Sequence, residues 1–143
     1  MKTRVFTHAA LLASFAGSTQ ALAGGSFPAV FELSSIDGAN GFVLSGTDIF
    51  DNSGNSVSSA GDVNGDGIDD LVISANYADA NGADSGQSYV VFGGAGVGSS
   101  GEIPLASLNG TNGFVINGVE AGDISGFSVS MNGICENQLP DTP

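Results

Sequence analysis

An acidic loop of nine residues, Asp62 to Asp70, holds the side chains best suited to chemistry in this 143-residue chain. Oxygen-bearing side chains stand at its first, third, fifth and ninth places, and glycine stands at the sixth. Calcium takes about six to eight oxygen ligands at about 2.3–2.6 Å. Alternate side chains of a tight loop turn towards one centre, and the glycine permits the sharp turn. The spacing therefore predicts a calcium site with five ligands: Asp62, Asn64, Asp66, Ile68 through its carbonyl, and Asp70.

The same loop has a simpler interpretation, because Asp, Asn and Gly also dominate solvated turns. Four acidic groups within nine residues would repel one another without a cation, which favours the metal. Three carboxylates around a divalent ion leave the site with a net charge of about −1, which suits calcium. Zinc or copper would favour His or Cys, which the loop lacks. Asp69 falls between ligand places and is expected to face solvent, while Asp79 and Asp84 lack the spacing and are interpreted as ordinary loop acids.

The charged residues of the chain are almost all acidic. Its only basic residues, Lys2, Arg4 and His8, lie in the first 23, so residues 24–143 carry 15 carboxylates and a formal charge of −15. A segment without cationic side chains cannot neutralise phosphates or bind an anionic membrane, so we expect no nucleic-acid partner and no membrane insertion. Catalysis by a histidine base or a lysine Schiff base has no residue to use, so we expect no enzyme.

Residues 1–23 have the form of a secretory signal peptide, with a basic start, an apolar middle and a small-x-small end at Ala21 to Ala23. The apolar part is too short and too interrupted by polar residues to span a bilayer, which takes about 20 residues. The expected location is therefore outside the cell, or in the periplasm or on the cell surface of a bacterium. Cys135 has no second cysteine to pair with in this chain.

The chain repeats itself at an offset of 72 residues. Residues 31–61 align with 103–133, with 15 identities in 31 positions. The match then stops, since 62–71 and 134–143 share one position in ten. The second copy therefore has a truncated or replaced end. We expect no second calcium site, because the first three ligand places would hold Ile134, Glu136 and Gln138.

The local patterns indicate strands and turns, with no helical period. The most apolar strand, Leu71–Ala75, has the composition of a strand buried on both faces. Four short strands in 60–70 residues, repeated along the chain, are typical of a β-propeller blade, so the expected fold is all-β. The predicted strands are Gly41–Ser45, Ser56–Ala60, Leu71–Ala75 and Ser88–Phe92.

The residues after the acidic loop distinguish among three kinds of calcium-binding sequence. An EF-hand needs a bidentate Glu at the twelfth place, where Ile73 stands. A dockerin needs an acidic twelfth residue and a following helix, whereas Leu71–Ser74 is strand-like. The run from Ser56 to Ile73, followed by Tyr89 to Gly94, resembles an FG-GAP repeat, the calcium-binding blade of integrin α-chain propellers and of many secreted bacterial proteins.

This resemblance implies the same five calcium ligands, from Asp62 to Asp70, and a structural role for the ion. The sequence departs from the family at Ser53-Gly54, where the family has Phe-Gly, and at Ser74 to Asn76, where it has Gly-Ala-Pro. Both departures affect strand ends and turns and leave the metal loop unchanged.

The resemblance also implies an incomplete β-propeller, with one full blade of four antiparallel strands and part of the next. Family propellers close a ring of about seven blades, so we expect the N-terminal part of a longer protein. The implied function is adhesion, or binding of an extracellular protein or glycan, with the remaining blades as further partners. The alternatives are blades attached to a larger secreted hydrolase, and a dockerin-like docking module. The expected regions are a signal peptide at 1–23, an N-terminal strand region completing a blade at 24–52, an FG-GAP blade with the calcium loop at 53–102, and a partial second repeat with a divergent end at 103–143.

Overall fold

Short strands and turns make up residues 29–130, the part of the chain that the computed structural model describes. All four predicted strands are present, and this part of the chain contains no α-helix, so the all-β prediction is confirmed. None of its helical turns is long and apolar enough to cross a membrane. The predicted signal peptide, Cys135 and the divergent end of the second copy lie outside the described residues. The strands are β1 Val43–Ser45, β2 Ser53–Gly61, β3 Asp70–Ala75, β4 Gln87–Val91, β5 Glu102–Pro104 and β6 Gly113–Asn117, and the 3₁₀ turns are Leu33–Ser35 and Leu105–Ser107.

The main sheet contains four strands in the order β2-β3-β4-β6. All three pairings are antiparallel. Ile73 of β3 lies opposite Tyr89 of β4, and Val90 of β4 lies opposite Phe114 of β6. A four-stranded antiparallel sheet of short strands is the form of one propeller blade, as the sequence predicts.

The fourth strand of this sheet is not the one that the sequence pattern suggested. The first predicted strand, β1, forms a separate parallel pair with β5, in which Val43 lies opposite Glu102. The main sheet is completed by β6, which lies in the second copy of the repeat. Burial explains the difference, because Phe42 and Leu44 belong to the buried cluster on one face of the main sheet. The β1 segment therefore covers the sheet, and the blade takes its outer strand from the second copy.

Strand β3 is the centre of the core, since all six of its residues are buried. This confirms the predicted burial on both faces. On one face, Leu71 and Ile73 cluster with Tyr89 and Val91 of the neighbouring strand. On the other face, Val72 clusters with Ala60 of β2 and Val90 of β4. The first face is covered by Phe42, Leu44, Ala78 and Leu105, and the second cluster comprises Ala60, Val72 and Val90, packed against Phe92, Phe114 and Val129.

The two copies of the repeat share local backbone conformation. Gly38 and Gly110 are 72 residues apart and have φ of 92° and 91°. Phe50 and Gly122, at the same offset, both have φ of 82°. Such positive φ angles are unusual for residues other than glycine. Their recurrence at one spacing indicates that the repeat extends from sequence to backbone geometry.

The second copy also contacts the equivalent strand of the first copy. The Asn55 side chain donates a hydrogen bond to the Phe127 carbonyl oxygen at 2.9 Å, and the Val129 N–H donates to Ser56 Oγ at 3.1 Å. These contacts join segments that the repeat aligns with each other, so residues 127–129 of the second copy lie beside β2.

Two glycines in the second copy test this packing, because they share a left-handed backbone but differ in surroundings. An added Cβ on Gly126 (φ 83°) would lie 2.7 Å from Ser88 Oγ and 2.9 Å from the Gln87 carbonyl oxygen. A Cβ on Gly122 (φ 82°) would meet nothing within 4 Å. Gly122→Ala should lower the free energy of unfolding by about 1 kcal/mol through strain alone. Gly126→Ala should lower the free energy of unfolding by about 1–3 kcal/mol more than Gly122→Ala does, because its added Cβ overpacks the sheet.

Urea unfolding of both variants measures the difference. Equal losses in the two variants would show that the 125–130 segment does not pack on the sheet.

Candidate metal centre

The acidic loop joins β2 to β3 and is organised around the carboxylate of Asp62. Its Oδ1 accepts hydrogen bonds from the N–H groups of Gly65 and Asp66 at 2.7 and 2.9 Å, and its Oδ2 accepts one from Gly67 at 2.8 Å. A carboxylate has about four acceptor sites, so these bonds leave Asp62 about one for a cation. The hydrogen bonds also fix the orientation of the carboxylate without any ion.

Asn64 and Asp66 lie beside Asp62 in the same loop. The Asp66 N–H is shared between Asp62 Oδ1 and Asn64 Oδ1, the second contact being 3.0 Å. Asn64 Nδ2 donates to Asp66 Oδ2 at 2.9 Å, and the Ile68 N–H donates to Asp66 Oδ1 at 2.8 Å. The structure therefore brings together the side chains at the first, third and fifth predicted ligand places.

The loop depends on two glycines with left-handed backbones. Gly67, which the sequence assigned to the sharp turn, has φ of 84°, and Gly65 has φ of 80°. Neither would bring an added Cβ within 4 Å of another group, so the requirement is conformational and not steric. Glycine adopts this conformation without the strain that a side chain introduces.

Asp70 differs from the other candidate ligands because it is buried, with 3 % of its surface exposed. Its Oδ2 accepts a hydrogen bond from the Val63 N–H and its Oδ1 one from the Gly93 N–H, each at 2.8 Å. A Cβ on Gly93 would collide with the Asp69 carbonyl oxygen, so the chain after β4 lies directly against the loop. Asp70 therefore ties the loop to the corner that follows β4.

The donor set of the loop is chemically suited to calcium, because every candidate ligand atom is an oxygen. Asp69 is exposed, as the spacing predicts. Within residues 29–130, no three His, Cys, Asp or Glu side chains form a group that could hold a metal ion. A site here would therefore depend on the Asn64 amide oxygen and the Ile68 carbonyl oxygen as well as on carboxylates.

Comparison with known proteins identifies the segment that contains this loop. A family model described as FG-GAP repeat matches residues 53–91, which run from the first residue of β2 to the last residue of β4. This chain contains an FG-GAP repeat. The matched repeat supplies three strands of the main sheet, and β6 completes it from outside the matched segment. No curated protein matches the chain.

A second group of carboxylates in this protein lies near the hydroxyl of Tyr89. Burial raises the pKa of Asp51, and the charges of Asp48 and Asp79 raise it further, while a hydrogen bond from the Asp48 backbone opposes them. Burial also raises the pKa of Tyr89, whose hydroxyl lies 3.2 Å from Thr47 Oγ1. The sequence did not indicate this group, because its members come from separate turns and lack a recognisable spacing.

Replacing Asp70 should destabilise the FG-GAP repeat even when no calcium is present. Asp70→Ala leaves two part-buried hydrogen bonds, those from the N–H groups of Val63 and Gly93, without their acceptor, and an N–H group left unsatisfied in the interior costs about 1–3 kcal/mol. Asp69→Ala is the matched control, since Asp69 is exposed and makes no side-chain hydrogen bond to these groups. Chemical unfolding in excess chelator should show a loss of about 2 kcal/mol or more for Asp70→Ala only. Similar stabilities of the two variants would contradict the structural role of Asp70.

The stability effect of Asp51 should depend on pH. Its pKa in the folded protein is raised above the ordinary value of 3.8, so folding favours its protonated form. The loss of stability caused by ionising Asp51 develops as the pH rises from the ordinary pKa of 3.8 to the higher folded pKa, and it is complete above the folded pKa. Asp51→Asn should therefore raise the unfolding temperature at neutral pH, with a gain that disappears below pH 3.8.

Thermal unfolding across this pH range, with Asp69→Asn as the control for charge removal, tests the assignment. A gain that is independent of pH, or equal in both variants, would contradict it.

Proposed function

We propose that this FG-GAP repeat protein is a calcium-stabilised β-propeller module that works outside the cell by binding and not by catalysis. The observation that carries the proposal is that Asp62 Oδ1 and Asn64 Oδ1 converge on the N–H of Asp66, whose own carboxylate is hydrogen-bonded to Asn64. This arrangement directs oxygen atoms of hard ligands to one small region, as a calcium loop requires.

Charge supports calcium as the missing component of the loop. Asp62, Asp66, Asp69 and Asp70 lie within nine residues, and residues 24–143 contain no Lys, Arg or His to neutralise them. Backbone N–H groups supply only partial positive charge to this loop. A bound divalent cation would remove most of the remaining repulsion, and calcium accepts the mixed carboxylate, amide and carbonyl oxygens offered here.

In this proposal the ion has a structural role. The loop is anchored through Asp70 to Val63 and Gly93, so an ion that orders the loop also holds the start of β3 against the corner after β4. Binding energy at such a site adds to folding energy. The module would be more rigid at extracellular calcium concentrations than at low calcium.

A dockerin-like docking module is not favoured, because that alternative needs a helix after the loop and β3 stands there. A hydrolase attached to the blades would need catalytic residues from outside this sequence, since residues 24–143 offer no histidine base and no lysine nucleophile. A binding function, with an extracellular protein or glycan as the ligand, is therefore the proposal.

Further blades are the proposed structural partners, and the second copy shows how a neighbouring turn can dock. The Gly122 N–H donates to the Ala83 carbonyl oxygen at 2.8 Å, and the Ile124 N–H donates to the Asp84 carbonyl oxygen at 2.9 Å. These hydrogen bonds fix the turn at 118–124 on the loop between β3 and β4.

The equivalent turn of the first copy, residues 46–52, contacts only the start of this loop, where the Tyr77 N–H donates to the Asp51 carbonyl oxygen at 3.1 Å and Asn52 Nδ2 donates to Asn76 Oδ1 at 2.9 Å. It keeps the backbone of the second copy, since Phe50 repeats the φ of Gly122. Its apolar side chains are open to solvent, with Ile49 61 % and Phe50 83 % exposed. We propose that another blade of the same kind covers this turn.

The calcium proposal predicts a stability gain that depends on specific ligands. An ion that binds only the folded state stabilises it by about 2.7 kcal/mol at a hundred times its Kd. Calcium should therefore raise the unfolding temperature of the mature chain. Asp62→Ala and Asp66→Ala should abolish this response, because each removes a carboxylate at the centre of the loop.

Asp69→Ala is the control, since it removes the same charge from an exposed position between ligand places. Calorimetric melting of the four proteins in chelator and in calcium gives the comparison. An equal response to calcium in the wild type and in all three variants would exclude this loop as the binding site.

A further inference from the structure

The peptide bond between Asn64 and Gly65 lies beside two groups that favour an intramolecular reaction, namely the Asp62 carboxylate and the Asp66 N–H. The Gly65 N–H donates to Asp62 Oδ1 at 2.7 Å, and Asn64 Oδ1 accepts a hydrogen bond from the Asp66 N–H at 3.0 Å. Asn64 is exposed, and no group lies within 4 Å of the position that a Cβ on Gly65 would take. We infer that Asn64 is a site of self-modification, at which the loop deamidates its own asparagine.

The reaction begins with attack of the Gly65 backbone nitrogen on Asn64 Cγ. As the new N–C bond forms, the Gly65 proton passes to the Asp62 carboxylate, and the Asp66 N–H stabilises the negative charge that develops on Asn64 Oδ1. The bond from Cγ to Nδ2 then breaks, and ammonia leaves with the proton that Asp62 had accepted. The product is a five-membered cyclic imide, which water opens to aspartate or isoaspartate. No oxidant or reductant is needed.

The amide nitrogen that leaves has one hydrogen-bond partner in the loop. Asn64 Nδ2 donates to Asp66 Oδ2 at 2.9 Å, which holds the side chain in the orientation where Oδ1 faces the Asp66 N–H. Three groups around the reacting atoms, Asp62 Oδ1, the Asp66 N–H and Asp66 Oδ2, thus come from two aspartates that are also predicted calcium ligands.

A second Asn-Gly pair in the same protein provides an internal control. Asn109 is also exposed, and its Oδ1 accepts the N–H of Thr111 at 3.0 Å, which matches the contact made by Asn64. The Gly110 N–H, however, donates to the carbonyl oxygen of Gly113 at 2.8 Å. A peptide carbonyl is not a base at neutral pH, so Asn109 lacks a base equivalent to Asp62, although its Oδ1 has an additional donor in the Thr111 hydroxyl at 2.6 Å.

The consequence of the reaction, although not the reaction itself, rests on the proposed calcium function. Aspartate at position 64 would add a fourth carboxylate to the ligand set, while isoaspartate would lengthen the backbone between the first and fifth ligand places. Calcium on Asp62 would compete for the carboxylate that acts as the base. The ion should therefore protect Asn64.

The test is peptide mapping by mass spectrometry of the mature chain, incubated near neutral pH in chelator or in calcium. A positioned base contributes about 10²–10⁴-fold in enzymes, and for part-buried Asp62 we expect about tenfold faster deamidation at Asn64 than at Asn109. Asp62→Ala should reduce the rate at Asn64 to that at Asn109, and the rate at Asn109 should not change.

Equal rates at the two sites of the wild type in chelator would overturn the inference, and this comparison needs no variant to fold. An unchanged rate at Asn64 in Asp62→Ala would also overturn it. Fast reaction at Asn64 that calcium does not slow would support the inference while counting against the calcium proposal, so the two failures are distinguishable.

Discussion

The structure depends on one constraint, which is that β3 must be buried on both of its faces. All six of its residues are buried, and the apolar side chains alternate between two separate clusters. A four-stranded sheet alone cannot meet this requirement, because it leaves two faces open. The segment around Phe42 and Leu44 covers one face, and residues of the second copy, including Val129, cover the other. A single FG-GAP repeat is therefore not a self-sufficient folding unit here.

The same constraint explains why the loop before β3 is well anchored. Asp70 is the first residue of β3, so its carboxylate is buried with the strand and must find partners. A chain without Lys, Arg or His after residue 23 cannot offer an ion pair, and backbone N–H groups take that role. Asp62 is satisfied in the same way by three N–H groups of the loop. The proposed calcium site and the structural hydrogen bonds thus lie in one short segment, which Asp70 anchors to the sheet.

Much of this architecture follows from local sequence. The apolar run Leu71–Ala75 identifies a strand buried on both faces, and the position of Gly67 identifies a left-handed turn. The origin of the fourth strand could not be predicted, because the β1 and β6 segments both begin Gly-Phe-Val and only long-range packing decides which one joins the sheet. The hydrogen bond from the Gly93 N–H to Asp70 could not be predicted either, since it joins residues far apart in the chain. Local pattern indicates what each segment forms, whereas the partner of each segment depends on how the whole core is covered.

The most direct test of the account is amide hydrogen exchange by NMR on the mature chain, with and without calcium. The account predicts that calcium slows exchange at Gly65, Asp66, Gly67 and Ile68, whose N–H groups bind the loop carboxylates, and at Gly93 through Asp70. Protection confined to the turns that carry Asp48, Asp51 and Asp79 would place the ion in the second acidic group and contradict the account. So would the absence of any calcium-dependent protection.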